Sequence, residues 1–439
     1  MGLRVALLSY RSKPHSGGQG IYVRYLSREL VAAGHEVTVF SGQPYPELDP
    51  GVRLEKLPSL DLYREPDPFR MPHVSEYRDL IDVLEVGTMM TAGFPEPLTF
   101  SLRAARALKG RLADFDVVHD NQCLGYGLLD IARRLPLVTT IHHPITRDRT
   151  TDLASATGWR RVSLRRWYGF LTMQKRVARA QQRILTVSSS SARDIASDFG
   201  VDPARIEVVP LGVDTDVFTP DAAPERVPGR IVAMASADTP LKGIDVLLRS
   251  LARRRRTHPD APLELVLVSR PEPGGRTDRL LDELGLRDVV TVVNGLSDAE
   301  LATTVASARV ACVPSRYEGF SLPTVEAMAC GTALVVTDAG AIGEVVGYEN
   351  GSAPGALVVP PGDSEALADA LDRVLDDADL REALGRRGRE RAVARYSWPA
   401  VAAATAVSYE QAIAAHRTHA SPRILHVLTP TRGAARAHR

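Results

Sequence analysis

The chain has 439 residues, with 54 lysines and arginines against 53 aspartates and glutamates and a formal net charge of +1. That length exceeds what one hydrophobic core usually supports, so two domains of about 200 residues each are expected. The charge balance gives no footprint for nucleic acid or a strongly acidic partner, and the widely spaced Cys123, Cys312 and Cys330 fit buried thiols in a reducing cytoplasm, not a disulfide framework or a zinc site.

The opening MGLRVALLSYRSKP is apolar only for the length of a strand, residues 3–9, and lacks a small-residue cleavage site, so it predicts a first buried strand and not a secretory leader. No run reaches the roughly 20 apolar residues that cross a bilayer. The turn SGGQG, residues 16–20, opens a helix over 20–33 that stops at Gly34; alone, such a turn is shared with dinucleotide-binding folds. A strand at 36–40 follows. Residues 43–100, rich in Pro, Tyr and charge without a clear period, read as a variable insertion. It either overhangs the carboxyl ends of the first sheet, where ligands bind, or is a plain surface loop. Strands are predicted at 116–119, 137–142 and 183–187, and a helix at 189–198. His142 ends the strand LVTTIH, so with His143 beside it at least one imidazole should project from the carboxyl edge; no second ligand cluster accompanies them. The stretch GWRRVSLRRWYGFLTMQKRVARAQQR, residues 158–183, has no acidic residue and sets Trp159, Trp167, Tyr168 and Phe170 among arginines. It reads as a basic amphipathic helix that either rests on an anionic membrane surface, as would suit a lipid acceptor, or buries one aromatic face in the first domain.

Short Val/Ile/Leu runs alternating with helical stretches predict a parallel sheet covered on both faces. The rhythm breaks in the proline-rich segment 208–229 and restarts with strands at 230–235, 263–268, 289–293, 309–313, 333–337 and 356–359. This gives two domains, 1–207 and 208–396, each with a doubly wound sheet. In the linker, Asp214 and Asp216 imitate a metal-binding D-x-D but more simply cap a turn. A helix over 398–416 is expected to cross back onto the first domain and clasp the halves, and the basic tail 418–439, broken by Pro and Gly, to be disordered.

Two segments of the second half carry chemistry. In SADTPLKGIDVLLRSL, residues 236–251, Lys242 is one of only five lysines in the chain and precedes Gly243 where a strand gives way to a helix. From there an ammonium can neutralise a pyrophosphate leaving group. In SRYEGFSLPTVEAMACG, residues 315–331, a strand ends, a loop carries Glu318, and a helix opens near Ser321 and Leu322 with Glu326 one turn in. A helix start with free amides behind a glycine is an anion site, with diphosphate the obvious occupant. Glu326 is then placed to accept hydrogen bonds from ribose hydroxyls and Glu318 from those of a sugar.

This second segment resembles the E-x7-E signature of glycosyltransferase family 4, retaining enzymes of the GT-B fold, and the likeness continues through Ala327, Met328, Cys330 and Gly331. It extends over most of the chain, is strongest from about 205 to 395, and fades over 43–100 and beyond 418. The resemblance implies an α/β GT-B architecture, two Rossmann-like domains facing across a cleft, with acceptor bound by the first and nucleotide-sugar donor by the second. It implies that Glu318 contacts the donor sugar, that Glu326 contacts the ribose, and that Gly319, Phe320, Ser321 and Leu322 line the donor beside Lys242. Gly17 and Gly18 resemble the family's Gly-Gly loop, approaching the donor phosphates from the other side. His142, in the T-x-H position, would approach the sugar's outer hydroxyl. Catalysis would rest on Glu318, Lys242 and His142, by front-face transfer in which the donor's phosphate oxygen takes the acceptor proton, with no metal and no cofactor beyond the donor. One departure stands out: Ala235, Ser236 and Ala237 replace the G-R-L in which many members carry an arginine ahead of the lysine.

The expected protein is a cytoplasmic hexosyltransferase, peripheral to the inner membrane face where 158–183 rests on lipid. Its acceptor is a hydroxyl or thiol of a lipid, cyclitol phosphate, glycan or small natural product. The rival readings are a nucleotide-sugar epimerase or pyridoxal-dependent phosphorylase on the same fold, or a non-catalytic sugar-nucleotide binding protein. The incomplete G-x-G-x-x-G speaks against a NAD-dependent dehydrogenase.

Overall fold

The computed structural model of the protein describes residues 2–12, 18–64, 67–236, 238–348 and 355–420. Gly17 and the tail from 421 onward lie outside the described residues. Two parallel sheets form the molecule. The first contains β1 (Arg4–Ser9), β2 (Glu36–Ser41), β3 (Arg53–Lys56), β4 (Val117–Asn121), β5 (Leu137–Thr140), β6 (Ile184–Thr186) and β7 (Ile206–Val208), in the order β3-β2-β1-β4-β5-β6-β7. The second contains β8 (Arg230–Met234), β9 (Glu264–Val268), β10 (Val290–Val293), β11 (Val310–Val313), β12 (Ala333–Thr337) and β13 (Leu357–Val359), in the order β10-β9-β8-β11-β12-β13.

Continuous apolar runs make central strands because both faces of each sheet are covered. Along β1, Val5 and Leu7 join one core and Ala6 and Leu8 the other. Along β12, Ala333 and Val335 point one way and Leu334 and Val336 the other. In each sheet the strand order reverses once, between β1 and β4 and between β8 and β11, opening a crevice at the carboxyl edge.

The helix Trp398–Ala420 runs four residues beyond the expected 416 and packs Val401, Ala402, Tyr409 and Ala412 into the core shared with Val5 and Leu7. Its anchor is polar. Tyr409 Oη meets His119 Nδ1 at 2.7 Å, His119 Nε2 meets Thr140 Oγ1 at 2.7 Å, and Thr140 meets Tyr22 Oη at 3.2 Å, all buried. The two chain crossings between the lobes lie side by side: Val213 bridges Ser397, Val213 N donates to Tyr396 O at 2.7 Å, and Gly212 lies so close to the Trp398 ring that a Cβ there would come within 2.3 Å of it.

Several expectations are corrected. Residues 43–100 are not an aperiodic insertion: they contain β3, the helix Leu80–Met90 and the start of the helix Glu96–Leu108. The helix Leu80–Met90 is inverted, burying its charged side, Asp82 and Glu85, against Arg103 while Leu80, Val83 and Met90 face solvent. A search for an apolar stripe under polar cover therefore misses it. The basic stretch 158–183 is not one helix but two, Gly158–Trp167 and Phe170–Ala180, broken at Tyr168 and Gly169. The linker assigned to 208–229 starts on the last residue of β7, and β5 ends at Thr140, two residues short of His142. Asp214 does cap a turn, accepting from Asp216 N and Val217 N, and its carboxylate also pairs with Arg28. All three cysteines are buried free thiols. Among the described residues, no helix is long and apolar enough to cross a membrane.

Because Tyr409 supplies the partner of the buried His119 Nδ1, Tyr409→Phe is expected to cost about 1–3 kcal/mol of stability, the penalty of a buried polar atom left unpaired. Urea denaturation of the two proteins measures it.

Candidate active site

The switch point of the second sheet brings Lys242 and Glu318 together. Gly243 adopts φ +66°, and a Cβ there would sit 1.9 Å from the Pro314 carbonyl oxygen. Only glycine lets the loop after β8 press so closely on the end of β11. The pressed loops are tied by Arg316, whose N donates to Leu241 O at 2.7 Å and whose guanidinium holds both oxygens of Asp245 at 2.9 Å. Across this contact Lys242 Nζ donates to Glu318 Oε1 at 2.7 Å, and Ser315 Oγ donates to the same oxygen at 2.8 Å. From the other side Gly340 approaches so tightly that a Cβ would lie 2.1 Å from the Glu318 carbonyl oxygen, which accepts from Ala341 N at 3.0 Å. Glu318 is thus fixed at backbone and side chain.

The helix Leu322–Ala329 then begins at Ser321, which has φ +86°. Ser321 Oγ is turned to Thr324 Oγ1 at 2.7 Å and caps no backbone amide, so the helix start has no side-chain cap. Phe320 turns its ring into the core, edge-on to Tyr396, and so can offer a ligand only its backbone; Leu322 packs partly against the same core. Glu326, half-buried, makes no side-chain hydrogen bond or ion pair with the described residues. Burial pushes its carboxyl up to about 7, with the Asp298 carboxylate adding to the effect. An unpaired carboxyl set beside an uncapped helix start is chemically unfinished, suited to accepting hydroxyl hydrogen bonds from a ligand whose anion meets the amides.

The first lobe closes on this edge. Gly319 O accepts from Ser188 Oγ at 2.6 Å and Ser191 Oγ at 3.2 Å, Ser189 N donates to Glu344 at 2.8 Å, and Tyr317 Oη donates to Asp194 at 2.6 Å. Tyr25 Oη donates to Asp298 at 3.3 Å. The carboxyl edges of the sheets therefore face each other. His142 lies on the first-lobe edge, its N donating to Gln122 Oε1 at 2.7 Å and its Nε2 meeting Asn121 Oδ1 at 2.8 Å, with the Tyr22 ring edge-on at 4.8 Å. Burial, then the neighbouring His143, depresses its pKa to about 3, so the imidazole is neutral near pH 7. With Asn121 Oδ1 as acceptor, the proton sits on Nε2 and Nδ1 is left as an acceptor. Gly18 is the first residue of the helix Gly18–Ala32.

Sequence reasoning missed Asn121, Gln122, Ser315 and Arg316, the residues that hold His142, Glu318 and the Lys242 loop. Each sits just where a strand ends at the carboxyl edge of its sheet, a position that could have singled them out. In place of the arginine missing from 235–237, the loop is bordered by Arg316 and Arg276, both paired with Asp245. Among the described residues, no group of three or more His, Cys, Asp or Glu converges as a metal site would.

Residues 16–217 match the model of Glycosyltransferase Family 4 and residues 220–391 that of Glycosyl transferases group 1. The chain is 59% identical over 414 residues to an MMP alpha-(1->4)-mannosyltransferase of Mycolicibacterium hassiacum, covering 94% of this chain and 99% of that one. It is 32% identical to a D-inositol 3-phosphate glycosyltransferase of Kineococcus radiotolerans, covering 93% and 95%. Among solved structures it is similar to a sucrose-phosphate synthase from Thermosynechococcus elongatus, with TM-score 0.65, 25% identity and coverage of 94% and 100%. It also resembles Anabaena Alr3699/HepE in complex with UDP, with TM-score 0.64, 15% identity and coverage of 93% and 100%.

The raised carboxyl of Glu326 has a consequence for stability. Its folded pKa near 7 lies above the unfolded value of about 4.3, so the unfolded state releases the proton first and stability falls as pH rises from about 4.5 through 7. Glu326→Gln removes that loss. Thermal melts at pH 5 and pH 8 should show the variant gaining on the wild type at the higher pH; an unchanged difference would contradict the assignment.

Proposed function

The chain belongs to glycosyltransferase family 4, with the two-lobed GT-B architecture, and on that premise we propose that it is a retaining hexosyltransferase that moves a sugar from a nucleoside diphosphate donor to a hydroxyl of a saccharide acceptor. The observation that carries the reading is the Lys242–Glu318 pair at the crevice of the second sheet, next to the uncapped start of the helix that bears Glu326. The likeness to a mannosyltransferase over nearly the full length of both chains supports a mannosyl donor and a growing glycan as acceptor, ahead of the lipid, cyclitol and thiol candidates.

In this reading the diphosphate lies on the amides after Ser321, and Glu326 accepts from the ribose hydroxyls. Glu318 accepts from sugar hydroxyls while its ion pair keeps the Lys242 ammonium close; the flexible lysine stem carries that charge to the departing diphosphate. Gly18, at the start of its helix, approaches the phosphates from the first lobe. His142, neutral and locked by Asn121, receives the sugar's outer hydroxyl on Nδ1. Lys242 and the helix amides meet the leaving-group charge, so the mechanism needs no metal. Transfer is front-face: the C1–O bond to the diphosphate breaks, the acceptor oxygen bonds C1 from the same side, and its proton passes to the departing phosphate oxygen. The protein contributes position and charge.

Lys242→Ala is expected to lower kcat by about 10²–10³-fold, the cost typical of losing one group that stabilises developing charge, whereas Glu326→Ala chiefly raises the donor KM. Both are read by following nucleoside diphosphate release from GDP-mannose and related sugar nucleotides with mannosyl oligosaccharide acceptors. Wild-type kinetics in either variant removes the assignment of that residue. A β-configured product from an α-configured donor, read by NMR, removes the retaining mechanism.

A further inference from the structure

Behind the donor lobe, at the end of the helix Leu322–Ala329 opposite its ligand-facing start, four arginines converge on one pocket. Arg226, Arg309, Arg381 and Arg386 line a cavity of about 460 Å³ together with Gly331 and Ala333, with Glu382 its single acid. Two of the four are anchored to neutral oxygens. Arg226 donates to Ala308 O at 2.7 Å, Thr332 Oγ1 at 2.9 Å, Cys330 O at 3.2 Å and Gly331 O at 2.9 Å, and Arg381 donates to Val374 O at 2.9 Å and Leu375 O at 3.1 Å. Carbonyls satisfy the N–H groups but leave the charge in place. The other two, Arg309 and Arg386, have no side-chain hydrogen bond or ion pair with the described residues.

Several arginines elsewhere on the lobe are instead met by acids: Arg253 by Glu365 and Asp369, Arg254 by Asp372 and Asp376, Arg255 by Asp288, and Arg287 by Asp278 and Asp282. The pocket keeps a repulsion that those sites have relieved. Burial, with Arg381 adding to it, lowers the Arg226 pKa, and burial with Arg309 adding to it lowers that of Arg381. Neutralising the carboxyl end of the helix Leu322–Ala329 accounts for Arg226 alone. It does not account for two further guanidiniums with free donors over the same cavity.

We propose that this arginine pocket is a binding site for a phosphorylated small molecule, a second ligand site distinct from the donor crevice. A phosphate dianion would take charge-assisted hydrogen bonds from Arg309 and Arg386 and relieve the repulsion along Arg226, Arg381 and Arg309. The cavity falls within the range of about 300–1,000 Å³ typical of small-molecule sites, so it has room for the body of a sugar phosphate as well as its anion. The occupant touches the turn that leads out of the helix carrying Glu326, on the side away from the chemistry.

Isothermal titration with glucose 6-phosphate and with inorganic phosphate tests this. The full-length wild-type chain is compared with Arg309→Ser/Arg386→Ser, with Arg386→Ser alone, and with Arg249→Ser, which removes the same charge from an exposed position elsewhere on the lobe. The donor crevice is intact in all four, so any difference reads the arginine pocket. Saturable glucose 6-phosphate binding is expected in the wild type and in Arg249→Ser, at least tenfold weaker in the double variant and intermediate in Arg386→Ser, with inorganic phosphate binding the same site less tightly. Equal affinity in the wild type and in both pocket variants, no saturable heat in the wild type, or an equal loss in Arg249→Ser would each overturn the proposal. Arg386 is exposed and unpaired, so the single variant keeps the test valid if the double variant does not fold.

Discussion

The contact of Gly243 with the Pro314 carbonyl governs the candidate site. It is a steric constraint before it is an electrostatic one: two loops at the carboxyl edge of the second sheet meet at a distance no side chain allows. From that approach follow the reach of Lys242 to Glu318, the bond from Arg316 N to Leu241 O, and the register in which the helix Leu322–Ala329 starts. Gly340 repeats the device on the far side of Glu318. Glycines thus set the geometry, and the charged residues act at the positions left to them.

The first lobe uses a different means. Its carboxyl edge is held by buried polar side chains: His119, Thr140, Tyr22 and Tyr409 form one chain of bonds, and Asp120 accepts from Cys123 N and Leu124 N to turn the backbone out of β4. In a low-dielectric interior such groups are costly unless each finds a partner. The pairing therefore fixes where the helix Trp398–Ala420 sits, and Tyr22 transmits that placement to His142 through ring contact.

What the sequence made legible followed from physics that leaves a local trace. Central strands such as β1, β8 and β12 are buried on both faces, so they appear as unbroken apolar runs, and the spacing of Glu318 from Glu326 is itself local. The losses came where burial is decided by partners far along the chain. β3, RLEK, is an edge strand with little apolar content, and β4 continues into Asp120 and Asn121, buried residues whose side-chain oxygens are met by loop amides and by His142. The helix Leu80–Met90 hides its acids behind Arg103, some twenty residues later, so its pattern reads reversed until that partner is known. Likewise nothing around position 309 announces that Arg309 would meet Arg226 and Arg381 from distant segments.

The chain passes between its lobes twice at a single spot, where Val213 bridges Ser397 and Trp398 lies on Gly212. Two tethers at one location leave a swing about a shared axis and oppose sliding, because any shear would have to break the bond from Val213 N to Tyr396 O. Displacement then grows with distance from that pivot. Tyr25, stacked on Trp398 at 5.4 Å, sits beside that pivot, so a swing of one lobe about it would displace the Tyr25–Asp298 bond least and the far margin of the groove most.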